Sequence, residues 1–311
     1  MKKILATATL LATSLVTTQA QACWWWEDCT YTKTKYPMVF APGVLGFDKL
    51  VGFVDYWYGI PSALTYSGGK VYTTTASALN SSEARGEQLL SQVQTILAIS
   101  GAQKVNLLGH SHGGFSVRYV ADVIPTKVAS LTLIHSPAKG SPVADLVVGV
   151  VPAGTAQSFV ASISNALMGI IDYLAGNNNP EDSLAALNSL TTVGAAGFNA
   201  VHTNGMPTTA CGEGAYTANG IKNYSWNGTS SFTNTLDPLD YFFGITGLAG
   251  TEPNDGLVGK CSSHFGKVLR DDYPWNHADA INHTFGVQGL FAPDPIDVYR
   301  AHANRLKNAG V

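Results

Sequence analysis

Charge is scarce in this chain. Asp, Glu, Lys and Arg supply 13% of its residues, against about 25% in a typical soluble protein. The 18 cations and 21 anions nearly balance, and no basic stripe gathers anywhere, which argues against a nucleic-acid partner. Cysteine is scarcer still. Cys23, Cys29, Cys211 and Cys261 include no C-x-x-C pair, so a structural zinc site has no two-cysteine pattern to rest on. No internal repeat is visible, which removes solenoids and propellers. Glycine is the opposite case, at 32 residues of 311.

The first residues read as a targeting segment. Lys2 and Lys3 form a basic start, Ile4 to Val16 an apolar stretch, and Ala20-Gln21-Ala22 a small-x-small cleavage site. Residues 1–22 are therefore expected to be a signal peptide, with a secreted chain of residues 23–311 forming a single domain. Removing the segment takes away two lysines and no acids, so the formal charge moves from −3 to −5. Cys23 follows the cut, as in a lipoprotein, but Ala20 stands where a lipidation signal usually carries a larger apolar residue. Export to an oxidising compartment makes disulfides the default, and four cysteines allow three connectivities. The simplest pairs Cys23 with Cys29 and Cys211 with Cys261. The second closure would stabilise by about 4 kcal/mol in the chain-entropy model. A sparsely charged, exported chain suits apolar or interfacial substrates.

Strand-like runs occur at Tyr36–Ala41, Lys70–Thr75, Val105–Leu108 and Ser130–His135. Helical patterns lie between and after them, at Ser82–Ser100, Phe115–Val123, Ser183–Leu190 and around Gly194–Val201. The chain closes with a further helix, where Asp294 stands as N-cap and Pro295 as first helical residue. Alternating strands and helices predict an α/β fold, with a mostly parallel sheet covered on both faces.

Within that pattern, Val105 to Gly114 reads VNLLGHSHGG. An apolar strand ends at Gly109, Ser111 follows one residue on, and two glycines open a helix. This is a nucleophile elbow, G-x-S-x-G, which presents a serine hydroxyl at a sharp strand-to-helix turn, as in α/β-hydrolases. The alternative is a plain glycine-rich turn. A serine nucleophile needs a histidine to take its proton and a carboxylate to hold that histidine, in the chain order Ser, acid, His. The downstream acids are Asp237, Asp240, Asp255, Asp271, Asp272 and Asp279. Spacing alone does not choose among His264, His277 and His283, any one of which could be a surface or packing residue. Two backbone donors must hold the oxyanion. The N–H of His112 follows the nucleophile, and Val44, in the glycine-bearing loop Ala41–Gly46, offers the second.

Between Asp145 and Asp172 no charged residue occurs. The stretch is long enough to cross a bilayer, yet Gly149, Pro152, Gly154 and several serines interrupt it. Phe159, Ile163, Ala166, Leu167, Ile170, Ile171 and Leu174 recur at helical spacing, which predicts an amphipathic helix. It could face a core, or it could belong to a helical lid of about residues 142–178 that covers an active site in water and opens at lipid.

Over Tyr31–Ala309 the chain resembles the secreted, foldase-dependent triacylglycerol lipases of the Pseudomonas/Burkholderia type, members of the α/β-hydrolase superfamily. The resemblance is carried by YPMVFAPGVLGFD, VDYWYGIPSAL, EARGEQLL, VNLLGHSHGG, ACGEGAY, LDPLD, NDGLVGKCSSH, DDYPWNHADAIN and VYRAHANRLKN, in that order. It implies a catalytic set of Ser111, Asp255 and His277, with the N–H groups of Val44 and His112 as oxyanion hole. It implies a disulfide between Cys211 and Cys261. It also implies one structural Ca2+ ion, held by the carboxylates of Asp237 and Asp279 and by the backbone carbonyls of His283 and Val287. A lipase-specific periplasmic foldase would assist maturation, and the product would be a monomer. Three features depart from the family. Pro42 stands where a histidine usually precedes the oxyanion-loop glycine, and it brings neither an imidazole nor a backbone donor. His283 replaces a glutamine, and the CWWWEDC head is unlike the family's usual start.

The resulting expectation is a secreted serine ester hydrolase cleaving acylglycerols at a lipid–water interface. The alternatives are a carboxylesterase or polyesterase for soluble or polymeric esters, and an inactive binding protein on the same scaffold.

Overall fold

The computed structural model describes residues 28–44, 49–50, 54–149, 157–158 and 182–311. The expected signal peptide, Cys23 and the expected helix Phe159–Leu174 lie outside the described residues. So does all of the expected lid except its start at 142–149 and residues 157–158.

Nine strands occur among the described residues: β1 Met38–Ala41, β2 Lys49–Leu50, β3 Val54–Asp55, β4 Val71–Thr73, β5 Val105–His110, β6 Val128–Ile134, β7 Thr217–Ala218, β8 Ile221–Gly228 and β9 Lys267–Tyr273. Strands β2 and β3 form a small antiparallel pair. The main sheet runs β4-β1-β5-β6-β8, and β8 is flanked by β7 and β9. All its pairings are parallel except β7 with β8. The helices are α1 Ile60–Tyr66, α2 Ser82–Ser100, α3 Gly113–Val123, α4 Pro142–Val147, α5 Ser183–Leu190, α6 Thr192–Val201, α7 Pro238–Thr246 and α8 Pro295–Asn308. This is the expected α/β arrangement.

Strand alternation sorts the core onto two faces. Val39, Leu107, Leu131 and Leu133 point to one face and pack with Leu89, Val93, Val117 and Val120 of α2 and α3. Met38, Phe40, Leu108, Ile134 and Trp226 point to the other and pack with Ile60, Leu64, Trp275 and Tyr299. A parallel strand buried on both faces reads as a near-continuous apolar run, which is why β1, β5 and β6 were legible.

Helix α2 has the bounds the pattern predicts. The Ser81 hydroxyl accepts the Ala84 N–H at 3.2 Å, and Gly101 ends the helix in the left-handed region. Helix α8 likewise opens on Asp294, whose carboxylate accepts the Ile296 N–H at 2.8 Å. Strands β8 and β9 escaped the sequence reading. β8 carries buried Asn223, Ser225 and Asn227 inside the sheet, and β9 carries Lys267, Arg270, Asp271 and Asp272. Helix α4 is the first part of the expected lid. Its Val143 and Leu146 are buried against Ala249 and Leu257. No single helix among the described residues is long and apolar enough to cross a membrane.

Candidate active site

The C-terminal ends of β5, β6 and β8 carry the site. β5 extends through Gly109 and His110, and the chain then reverses at Ser111 with φ 55°. The Ser111 N–H donates to the carbonyl of Ile134 at 2.9 Å, which ties the turn to β6. Two glycines make the reversal possible by close approach. A Cβ on Gly109 would strike the carbonyl of Gly113, and one on Gly113 would strike the carbonyls of Ala41 and Pro42. A non-glycine residue at positive φ is costly and tends to persist where the surroundings over-determine it. Here the Ser111 side chain opens into a cavity of about 140 Å³ that His277 also lines.

His277 stands in the loop after β9. Its Nδ1 lies 2.8 Å from Asp255 Oδ2, and its N–H donates to the Asp255 carbonyl at 2.8 Å. The Asp255 carboxylate is buried and crowded with donors. Oδ1 accepts the N–H groups of Leu257 at 2.9 Å and Val258 at 2.7 Å. Oδ2 accepts from a second imidazole as well, His135 Nδ1 at 2.7 Å. Burial by itself would raise this carboxyl. The charge of His277 and the hydrogen bonds from His135 and His277 overcome it, and Asp255 is held far below the usual carboxylate range.

The loop opposite the serine is braced by side chains from elsewhere. Arg85, buried in the first turn of α2, donates to the carbonyls of Pro42 at 2.8 Å and Gly43 at 2.6 Å. The Gly43 N–H donates to the Tyr56 hydroxyl at 2.8 Å, and that hydroxyl meets His110 Nδ1 at 2.6 Å. His110 Nε2 is 3.0 Å from the His277 carbonyl. Burial holds the His110 imidazole well below its ordinary pKa, so it is neutral. With its one proton on Nε2, the relay runs in a single direction from Gly43 through Tyr56 and His110 to His277. Arg85 and Tyr56 therefore do what a histidine at position 42 would be expected to do. A Cβ on Gly43 would come within 2.6 Å of Ser111 Cβ, so the loop lies directly against the elbow. Val44 lines the same cavity as Ser111. His112 is buried, with Nε2 2.9 Å from the Ser82 hydroxyl.

The cavity wall is otherwise mostly apolar. Leu79, Leu190, Phe242, Phe243, Leu257 and Ile281 contribute, with Val143 and Ala144 from α4. Such a lining favours hydrocarbon over polar substituents.

The other sequence candidates fall elsewhere. His264 pairs with Asp271, Nε2 to Oδ2 at 3.0 Å. His283 borders the cavity, and Asp272 pairs with Arg270 at 2.7 Å. Geometry thus makes the choice that spacing left open. The residues missed from the sequence are His135, Arg85, Tyr56 and His110. His110 sits inside the elbow string. His135 ends an expected strand and could have been flagged as an imidazole one residue past the C-terminal edge of the sheet.

Comparison with known proteins places the chain among ester hydrolases. A family model for the alpha/beta hydrolase fold matches residues 36–280. A triacylglycerol lipase of Vibrio cholerae is 54% identical over 283 residues, covering 90% of each chain. One from Pseudomonas fragi is 39% identical, covering 89% of this chain and 98% of that protein. One from Burkholderia plantarii is also 39% identical, covering 91% and 88%. The chain belongs to this family of α/β-hydrolases. Among solved structures, Staphylococcus hyicus lipase superposes with a TM-score of 0.60 at 18% identity, covering 89% of this chain and 97% of that one, a likeness of fold.

Two features mark the loops around the site of this hydrolase. Cys211 and Cys261 form a disulfide across 50 residues, as expected. The proposed partner of Cys29 lies outside the described residues. The second feature is a group of buried carboxylates beside His277. Asp237 caps α7, its Oδ1 accepting the Leu239 N–H at 2.8 Å. Asp279 Oδ2 accepts the Asn276 N–H and the Thr233 hydroxyl, both at 2.9 Å. Asp237 Oδ2 and Asp279 Oδ1 are buried and accept from no donor among the described residues. Burial and the nearby Asp240 push Asp237 up to about 6, against the Leu239 N–H. Burial, Asp240 and Asp237 push Asp279 up to about 7. Two dry carboxylates with one open oxygen each make a poor site for protons alone and a good one for a hard cation. The adjoining turn is strained, with Asn282, Thr284, Phe285 and Gly286 all at positive φ. This segment carries the carbonyls of His283 and Val287.

Proposed function

We propose that this hydrolase is a secreted lipase that cleaves acylglycerol esters by an acyl-enzyme mechanism. Ser111 is the nucleophile, His277 the base and then the acid, and Asp255 the residue that fixes the imidazole. The observation that carries the reading is the joint placement of Ser111, at positive φ, and His277, bonded to buried Asp255, on one apolar cavity. His277 takes the Ser111 proton as the hydroxyl attacks the ester carbonyl. The N–H groups of Val44 and His112 receive the oxyanion, with the loop held by Arg85 and Tyr56. The imidazolium then protonates the leaving alcohol. A water, deprotonated by the same His277, releases the fatty acid. Asp255 stays ionised throughout because four donors hold its charge.

The residues beside His277 fit calcium. Asp237 and Asp279 would hold it through their open oxygens, with the carbonyls of His283 and Val287 completing the set. The ion supplies fixed positive charge to a loop rich in acids. This chain's residues use it to keep the Trp275–Asp279 loop, and so His277, in place. A disulfide fits export to an oxidising compartment. Assistance by a periplasmic foldase and a monomeric product complete the proposal.

The test compares wild type with Ser111→Ala on emulsified long-chain triacylglycerol and on a soluble short-chain ester. Wild type is expected to hydrolyse both, with higher activity above the solubility limit. Ser111→Ala is expected to lose at least about 10³-fold in kcat. Undiminished hydrolysis by Ser111→Ala would remove the mechanism. Turnover confined to the soluble ester would make the protein an esterase.

A further inference from the structure

His135 has no place in the mechanism so far, yet its position is costly to maintain. It follows the last residue of β6, with its N–H donating to the Trp226 carbonyl at 3.0 Å. Its φ is 45°, in the left-handed region that a Cβ-bearing residue rarely occupies. Its side chain is fully buried, and Nε2 has no hydrogen-bond partner among the described residues. Room for the ring is made by Gly228, where an added Cβ would lie 2.8 Å from His135 Cε1. A glycine at 135 would relieve the backbone and bury no orphaned nitrogen. What the histidine supplies in return is one hydrogen bond, from Nδ1 to Asp255 Oδ2 at 2.7 Å.

That oxygen is the same atom His277 uses. Burial lowers the His135 pKa, partly offset by Asp255, so the ring is neutral and its single proton faces the carboxylate. His135 is not among the residues that line the cavity holding Ser111, so it cannot replace His277 as the base. We propose that His135 is a positioning residue for the reaction: its Nδ1–H pins the same oxygen of the Asp255 carboxylate that His277 uses and keeps it an unprotonated acceptor. Oδ1 is fixed by two backbone N–H groups. Without His135, Oδ2 keeps His277 as its one hydrogen-bond partner among the described residues. The carboxylate could then tilt, and it would be more basic at the moment His277 carries its extra proton.

The proposal rests on the catalytic reading above, and its test separates the two. Full-length protein is assayed on a soluble short-chain ester as wild type, His135→Gly, His135→Asn, Asp255→Asn and the double variant His135→Gly/Asp255→Asn. Glycine suits the left-handed backbone, so His135→Gly is expected to fold. Its kcat should fall roughly 10- to 100-fold, the scale of a hydrogen bond to a charged group, with KM within about twofold of wild type. Asparagine tolerates positive φ, and its Nδ2 can stand near the place of the imidazole Nδ1, so His135→Asn should recover most of that loss. In the Asp255→Asn background, His135→Gly should cost less than about twofold more, because the group it acts on is gone. In protein labelled with ¹⁵N-histidine, wild type should show low-field N–H protons from both imidazoles bonded to Asp255, and His135→Gly should lose one of these two while the protons of His202 on Asp122 and His264 on Asp271 stay unchanged. Wild-type kcat in His135→Gly would overturn the proposal. So would equal losses in His135→Gly and His135→Asn, or an undiminished further loss in the double variant. Full activity in Asp255→Asn alone would instead overturn the triad assignment and the role of His135 together.

Discussion

At the residue scale, the site depends on side chains that never meet substrate. Arg85 is the clearest case. Its Nη2 donates to the adjacent carbonyls of Pro42 and Gly43 while Nη1 reaches those of Ser77 and Ala78, a planar fork that a lysine could not reproduce. Arg85→Met keeps helix propensity and bulk but frees the carbonyls of Pro42 and Gly43. Its kcat is expected to fall about 10²-fold, near the loss of one oxyanion donor, with KM little changed in steady-state assays. Asp255 links the site to stability. Its folded pKa lies below the ~3.9 of an unfolded aspartate, so the folded state binds fewer protons in acid. It therefore adds stability above about pH 4, and that contribution is lost as pH falls through and below that value. Asp255→Asn is expected to lower Tm at neutral pH and to flatten the acid side of the Tm–pH curve. In the same protein kcat should drop by about 10³- to 10⁴-fold.

At the scale of elements, the elbow joins β5 to α3 with no spare volume. Gly113→Ala forces a Cβ into the carbonyls of Ala41 and Pro42. Overpacking of this kind costs about 1–3 kcal/mol. Denaturant unfolding should show that loss, with kcat falling too because the same carbonyls belong to the oxyanion loop. Elements were legible where local and tertiary signals agreed. α2 has the bounds its pattern predicts, with Ser81 and Gly101 capping it there, and β5 and β6 were legible because burial on both faces leaves them rich in Val, Leu and Ile. β8 was invisible because buried Asn223 and Asn227 stand within it, their Nδ2 groups donating to the carbonyls of Ala215 and Gly228, and a polar alternation of that kind resembles a loop. β9, rich in charge, resembles one too.

Over the whole molecule, chain segments distant in sequence are held by a few cross-links. The Cys211–Cys261 bridge spans 50 residues, worth about 4 kcal/mol in the chain-entropy model. The carboxylates of Asp237 and Asp279 come from opposite sides of β9 and meet beside the His277 loop. A cation there would tie α7 to that loop. Chelation is expected to lower Tm by roughly 5–10 °C, the effect of losing a ligand present at about 100 times its Kd. Asp237→Ala should start at the lower Tm and show no further response to chelator or added Ca2+ in scanning calorimetry.

The sequence by itself determined the α/β alternation, the elbow at Ser111 and the family, because those rest on local patterns: apolar runs, caps and strings of fixed spacing. It could not rank His264, His277 and His283, nor find His135 and Arg85. Those assignments depend on which side chains converge from residues 42, 85, 135, 255 and 277, and convergence is a property of sheet order and loop packing. The same holds for Pro42. Read along the chain it was a missing brace; in the folded protein an arginine from α2 and a tyrosine beside α1 hold the loop instead.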